Sequence, residues 1–317
     1  MFVAFVMDTL KVRARESKNL AFYSTPDVFL LSTEDDVTKR PAYFDKYKTI
    51  AFERFDDGVL VVRLHSDNGP VMYSADHHTE WAPAFTDIGM DRDNRVIVLT
   101  ATGDVFMNEH SSWDHPLGRP REFDFSAWGE KLMFRRLLEI EMPVICAVNG
   151  PATIHAELAV LGDIVIASEK AHFADEGHFA VGEVIGDGVQ IVFQELLGVT
   201  RGNYFLLTGQ RIDAYEAQRL GFVNEVLPHD ELMPRAMELA HQMATYSELT
   251  LRYTRLCLVD RWKHLIVDKI GVGYGMAFEG LAHIDRGWIK WNGSHIGNPD
   301  FDQLRPLTAR PQQPRPE

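Results

Sequence analysis

Cysteine is almost absent from this chain: only Cys146 and Cys257 occur among 317 residues. Two thiols, one in an apolar run that reads as a buried strand and one in a predicted helix, make no disulfide framework. They point to reduced thiols in a cytoplasmic protein. A thiol buried as Cys146 is expected to be is also a poor nucleophile. Long hydrophobic runs are missing too, since no apolar window reaches the roughly 20 residues of a membrane helix. The opening MFVAFVMDTLKVRARE has too short an apolar run for a signal peptide, and its basic residues follow that run rather than precede it. Positive charge is in deficit, with 32 Lys and Arg against 46 Asp and Glu and a net charge of −14. That balance disfavours nucleic acid and anionic membrane as partners and gives no encouragement to a polyphosphorylated ligand. Motifs are missing as well. No G-x-S-x-G elbow and no H-E-x-x-H occurs, and glycines 182, 186 and 188 are too irregular for a dinucleotide fingerprint.

What is present is globular: 45% hydrophobic and 25% charged residues. A leader (1–42) without a clean period ends in a charged, proline-containing stretch. Strand-like residues 49–55, the turn Asp56-Asp57-Gly58 and the run 59–64 then form a hairpin. A helix over 79–89, a strand over 96–100 and a helix over 125–140 lead to Pro143 and the apolar run 144–148. That run stops at the turn signal Asn149-Gly150-Pro151. A further strand covers 163–167, and a glycine-punctuated turn opens a helix at Val189. After Asn224 the pattern is helical: 230–246, a helix opening near Ser247 as N-cap, and a third over 269–286. The stretch from 292 is rich in Pro, Gln and Arg and reads as a flexible tail. The class is α/β with a helical C-terminal part.

Titratable groups concentrate where those strands end. His155, Glu157, His178 and Asp187 all fall between Glu141 and Gly188. In α/β folds such loops are held by a rigid sheet and carry the chemistry. Two histidines and two carboxylates there suggest acid–base catalysis on a small molecule. Blander readings exist for each. Asp187 before Gly188-Val189 also fits a helix N-cap, His178 a loop histidine bonded to backbone, His155 a packing residue at a turn, and Glu157 a structural ion pair. Glu279 and His78 fit solvated helix positions. His172, His178 and Asp175 could gather a metal in principle, but they lack a recognised ligand spacing.

Several segments together resemble the crotonase (enoyl-CoA hydratase/isomerase) superfamily over roughly residues 43–290. They are Gly58 to Val62, Arg95 to Thr100, Pro143 to Gly150, Thr208 to Ala214 with Ala217, and Gly221 to Val226. The resemblance implies a ββα spiral core over 43–225 and a C-terminal helical region over 226–291 that packs on neighbours in a homotrimer or dimer of trimers. CoA-dependent members carry a glycine-rich turn after the Asn-Gly pair, where a backbone N–H completes an oxyanion hole. Here the turn is Pro151-Ala152-Thr153-Ile154-His155-Ala156-Glu157, and His178 stands near the place of the hydratases' second glutamate.

Those departures resemble the 6-oxocamphor hydrolase type of β-diketone hydrolase, which cleaves a carbon–carbon bond by a retro-Claisen reaction with neither CoA nor metal. The matching segments hold Asn149-Gly150-Pro151 with His155 and Glu157, Gly177-His178-Phe179, Gly186-Asp187-Gly188, 201–210 and Ala277-Phe278-Glu279. The resemblance implies a catalytic set of His178, Asp187, His155 and Glu279, with His78 in the early helix and Tyr73 where the family has a tryptophan. His178 is the expected base and Asp187 its orienter, in the manner of hydrolytic triads. His155, with Tyr73, is expected to hold the diketone oxygen, and Glu279 to position water or a histidine. Phe106, Trp113, Trp81 and Phe179 favour a hydrophobic substrate, and the resemblance implies a cyclic or bicyclic diketone. Two further readings stand beside this one: a CoA-thioester crotonase with altered groups, and a non-catalytic crotonase-fold scaffold. The acidic balance disfavours RNA binding by such a scaffold.

Overall fold

The computed structural model describes residues 40–111, 120–179 and 184–283. The expected leader up to residue 39, the tail from 292 and Trp113 lie outside the described residues. The elements are β1 (Ile50–Arg54), β2 (Val59–Leu64), β3 (Met72–Tyr73), α1 (Ala75–Met90), β4 (Val96–Ala101), β5 (Glu109–His110) and α2 (Pro120–Glu139). Then come β6 (Val144–Val148), β7 (Ile164–Ser168), β8 (His172–Phe173), α3 (Val189–Leu197), α4 (Val199–Thr208) and β9 (Ile212–Asp213). The chain continues through α5 (Ala214–Leu220), β10 (Glu225–Leu227), α6 (Leu232–Ala244) and α7 (Glu248–His283).

The principal sheet has the order β1-β2-β4-β6-β7-β10. β1 and β2 form an antiparallel hairpin, and every later pairing is parallel. β4 and β6 are buried along their whole length, which is why they read as unbroken apolar runs rather than alternating ones. Side chains alternate across the strands and face two cores. Leu60, Val62, Leu99, Cys146 and Val148 meet Trp81, Phe85, Phe134 and Leu137 of α1 and α2. Val61, Val98, Ile145 and Ile166 meet Leu232, Ala236 and Ala240 of α6 on the other side.

The strand expectations hold to within a residue or so, and the helices differ more. α1 starts at Ala75, so His77 and His78 fall in its first turn, where the His77 ring nitrogen Nδ1 accepts the Ser74 N–H at 3.1 Å. The two helices expected after Ser247 are one helix of 36 residues. Ser247 does cap its start, accepting the Thr250 N–H at 3.2 Å. Glycines 271, 273 and 275 lie inside it, and because a helical glycine costs only about 1 kcal/mol relative to alanine the helix continues through them. Among the described residues, no helix is long and apolar enough to cross a membrane.

Candidate active site

The site forms where the loops leaving β4, β6 and β8 converge. Asn149 ties the first two, its amide donating to the carbonyls of Gly103 at 2.7 Å and Val105 at 2.9 Å. Gly150 follows because only glycine fits: an added Cβ would stand 1.8 Å from the Asp104 carbonyl oxygen. The chain then pairs through Ala152 with Met107 and Phe173 and turns at His155. His155 has φ 44°, the left-handed region that glycine adopts freely and histidine adopts at a cost. Strain held at a buried imidazole is a mark of a working position.

Five side chains meet beyond that turn. His155 Nδ1 lies 2.9 Å from Glu157 Oε1 and 3.2 Å from Asp187 Oδ2. The same oxygen of Asp187 lies 3.1 Å from His178 Nε2, and His178 Nδ1 lies 2.8 Å from Asp175 Oδ1. The other oxygen of Asp187 accepts the Val189 N–H at 3.2 Å, at the first turn of α3. Asp187 therefore serves the helix start with one oxygen and the two histidines with the other. Glu157 is fully buried and Asp175 nearly so.

The cluster's charges follow from burial and pairing. Burial alone would lower the His155 pKa, but the bonds to Asp187 and Glu157 outweigh it and hold it up at about 10. For His178 the burial penalty is likewise outweighed by the charges and bonds of Asp187 and Asp175, and its pKa lies well above the ordinary imidazole value. Burial would raise Asp187, yet the two imidazoles hold it well below the usual carboxylate range. Glu157 goes the other way: burial and the nearby Asp187 charge push its carboxyl up to about 7. At neutral pH the arrangement is two imidazoliums on either side of the Asp187 carboxylate, with Glu157 partly protonated. His155, fixed at Nδ1 by two carboxylates, has Nε2–H as its second donor.

Tyr73 and His78 stand on the other side of His155. Tyr73 is fully buried, with ring centroids 4.6 Å from His155, 4.7 Å from His78, 5.5 Å from Trp81 and 5.8 Å from His110. His78 is buried, not a solvated helix residue. α2 crosses α1 there closely enough that a Cβ on Gly129 would lie 2.7 Å from the His78 carbonyl oxygen. Trp81 and Phe106 are fully buried in the core, whereas Phe179 is half exposed. Glu279 lies on α7, with its side chain outside the described residues.

Three features of the cluster differ from the sequence reading. Asp175, considered there only for a metal, holds His178. Both nitrogens of His178 are engaged by carboxylates, so the ring has no open nitrogen to serve as a base in this arrangement. Asp187 orients two histidines rather than one. The i, i+3 spacing of Asp175 and His178 was the one sequence signal for their contact. Among the described residues, the group able to offer three metal ligands within 4.8 Å is His155, Glu157 and Asp187, not the His172 set. Cys146 is buried and its thiol is pushed up to about 12 by that burial, as expected for a structural residue.

Comparison with known proteins places this geometry in context. A family model described as enoyl-CoA hydratase/isomerase matches residues 54–263. A β-diketone hydrolase of the cyanobacterium Anabaena, solved with (S)-3-oxocyclohexyl acetic acid bound, is similar at 41% identity and TM-score 0.75, covering 78% of this chain and 99% of that one. An enoyl-CoA hydratase/isomerase of Mycobacterium paratuberculosis shares the fold at 23% identity and TM-score 0.65, over 74% of this chain and 94% of that one. Among curated proteins, a carnitinyl-CoA dehydratase of Salmonella enteritidis is 33% identical over 53% of this chain and 64% of its own length. A probable mitochondrial enoyl-CoA hydratase of Dictyostelium discoideum is 37% identical over 36% of this chain and 42% of its own. The chain thus spans less than two thirds of these curated relatives.

Proposed function

The chain belongs to the enoyl-CoA hydratase/isomerase (crotonase) family, and on that premise we propose that it hydrolyses a carbon–carbon bond of a β-diketone by a retro-Claisen reaction. The observation that carries this reading is the pair of histidines joined through one oxygen of Asp187. An imidazolium at His155, in the segment where CoA-dependent relatives keep a glycine turn, suits a free ketone oxygen. The similarity to the Anabaena β-diketone hydrolase supports the same chemistry.

The steps follow from the groups. His155 donates Nε2–H to one carbonyl oxygen of the diketone and stabilises the charge that develops there. Water loses a proton to the cluster of carboxylates and histidines. Because His178 already carries a proton between two carboxylates and Asp187 is held well below the usual range, the acceptor is Glu157, the carboxyl raised to about 7. Hydroxide adds to the carbonyl, the bond to the central carbon breaks, and the electrons leave as the enolate of the second ketone. Glu157 returns the proton to that carbon, giving a keto acid with water consumed. Tyr73 and His78 line the substrate side, and Glu279 keeps the role of positioning water or a histidine that the family resemblance implies.

A purified, EDTA-treated sample assayed in the ultraviolet against cyclic and bicyclic 1,3-diketones tests this. Loss of enol absorbance with a keto acid by mass spectrometry is the expected result. No turnover across the panel, with stabilisation or turnover of acyl-CoAs, would replace it with the second reading, CoA-ester chemistry. That alternative draws on the curated relatives, which are CoA enzymes by name.

A further inference from the structure

Gly186 and Gly273 meet backbone to backbone. A Cβ on Gly273 would lie 2.1 Å from the Gly186 carbonyl oxygen, and one on Gly186 would lie 2.3 Å from that of Gly273. No side chain fits at either place unless the main chain moves. The neighbouring contact is also close, since Ile270 Cδ1 would stand 3.4 Å from a Cβ on Gly188. α7 therefore presses directly on the loop that delivers Asp187. The contrast within the same helix is instructive: Cβ atoms on Gly271 and Gly275 would meet nothing within 4 Å.

We propose that the Gly186–Gly273 crossing sets the position of Asp187 between the two histidines, which makes Gly273 a positioning residue of the site. Asp187 follows Gly186 directly, and its shared oxygen has contacts of 3.2 and 3.1 Å to His155 and His178. Ion-pair contacts of that length have little slack, so displacing Gly186 by most of an ångström loosens both. The inference rests on the reading of this cluster as catalytic, where a misplacement of about 1 Å can lower turnover by about 100-fold.

The test is a histidine titration by NMR on the full chain, with His155 and His178 assigned through His155→Gln and His178→Gln. In Gly273→Ala the midpoints of both histidines should fall toward the ordinary value of about 6.5, and diketone turnover should drop by roughly 100-fold. Gly271→Ala and Gly275→Ala make the same change of residue type in open space and should titrate and turn over as wild type. Ile270→Val loosens the same crossing without a clash and should shift both midpoints the same way by less. Wild-type midpoints in a folded Gly273→Ala chain, or in Ile270→Val should the alanine variant not fold, would overturn the proposal. The titration uses no substrate, so the two failures are distinct: a wild-type chain that ignores diketones removes the functional reading, whereas wild-type midpoints in the variants remove the role of the crossing.

Discussion

His178 and Asp187 are joined Nε2 to Oδ2 at 3.1 Å, and the same carboxylate oxygen reaches Nδ1 of His155 at 3.2 Å. One oxygen thus fixes two imidazoles from different loops, and each imidazole has a second carboxylate of its own, Glu157 or Asp175. The consequence is electrostatic. Neither histidine is poised to titrate near neutrality, and the carboxyl that is poised there is Glu157.

Asp187→Asn separates the two duties of this residue. The amide keeps an oxygen for the Val189 N–H, so α3 should stay capped and the fold intact by circular dichroism. The negative charge is lost, so diketone turnover should fall by at least about 100-fold and both histidines should titrate lower. Near-wild-type turnover in this variant would leave Asp187 as a helix cap alone.

Removing the His155 ring sets two effects against each other. His155→Gly relieves a left-handed residue, worth about 1–2 kcal/mol. It also strands Glu157 and Asp187 as buried carboxylates without their shared cation, a loss of about 3–5 kcal/mol. The second effect is larger, so denaturant unfolding at pH 7 should show net destabilisation. Adding Glu157→Gln should recover part of it. A more stable single variant would mean the ion pairs contribute little.

Stability should fall as pH rises across the neutral range. The His155 pKa is raised to about 10, so its contribution is complete below the unfolded value and is lost as pH climbs through 10. Glu157, raised to about 7, favours the folded state most below its unfolded value and loses that advantage between the two. Each group fully inside its window contributes a slope of about 1.4 kcal/mol per pH unit. Asp187, held low, acts oppositely, and its contribution disappears only in strong acid. Urea midpoints from pH 5 to 10 would measure this, and Glu157→Gln should flatten the lower half. A stability that rises over this range would contradict the assigned ion pairs.

Asp175→Asn should lower turnover by roughly tenfold, less than Asp187→Asn, because His178 keeps one of its two carboxylates. The alkaline limb of the pH–rate profile should move to lower pH as the imidazolium loses a partner. A profile superimposable on wild type would confine Asp175 to a structural role.

The sequence by itself determined the strands of the sheet. β6 carries an unbroken apolar run that ends at the turn Asn149-Gly150, and β2 is apolar but for Arg63 and follows the turn at Gly58, so their limits coincide with the prediction. It also marked His155, Glu157, His178 and Asp187, because loops held at strand ends by a rigid sheet are where α/β folds keep their chemistry. What only the tertiary structure decided is which group touches which. Asp187 bridges both histidines, Asp175 takes the second nitrogen of His178, and His78 is buried under a close helix crossing at Gly129. The joining of the two helices expected after Ser247 into the single α7 was equally out of reach, since helix propensity is a local quantity and packing overrides it. Periodicity records which way a side chain faces, whereas hydrogen bonds between loops depend on ångström-scale distances that are set only when the sheet, α3 and α7 have closed around them.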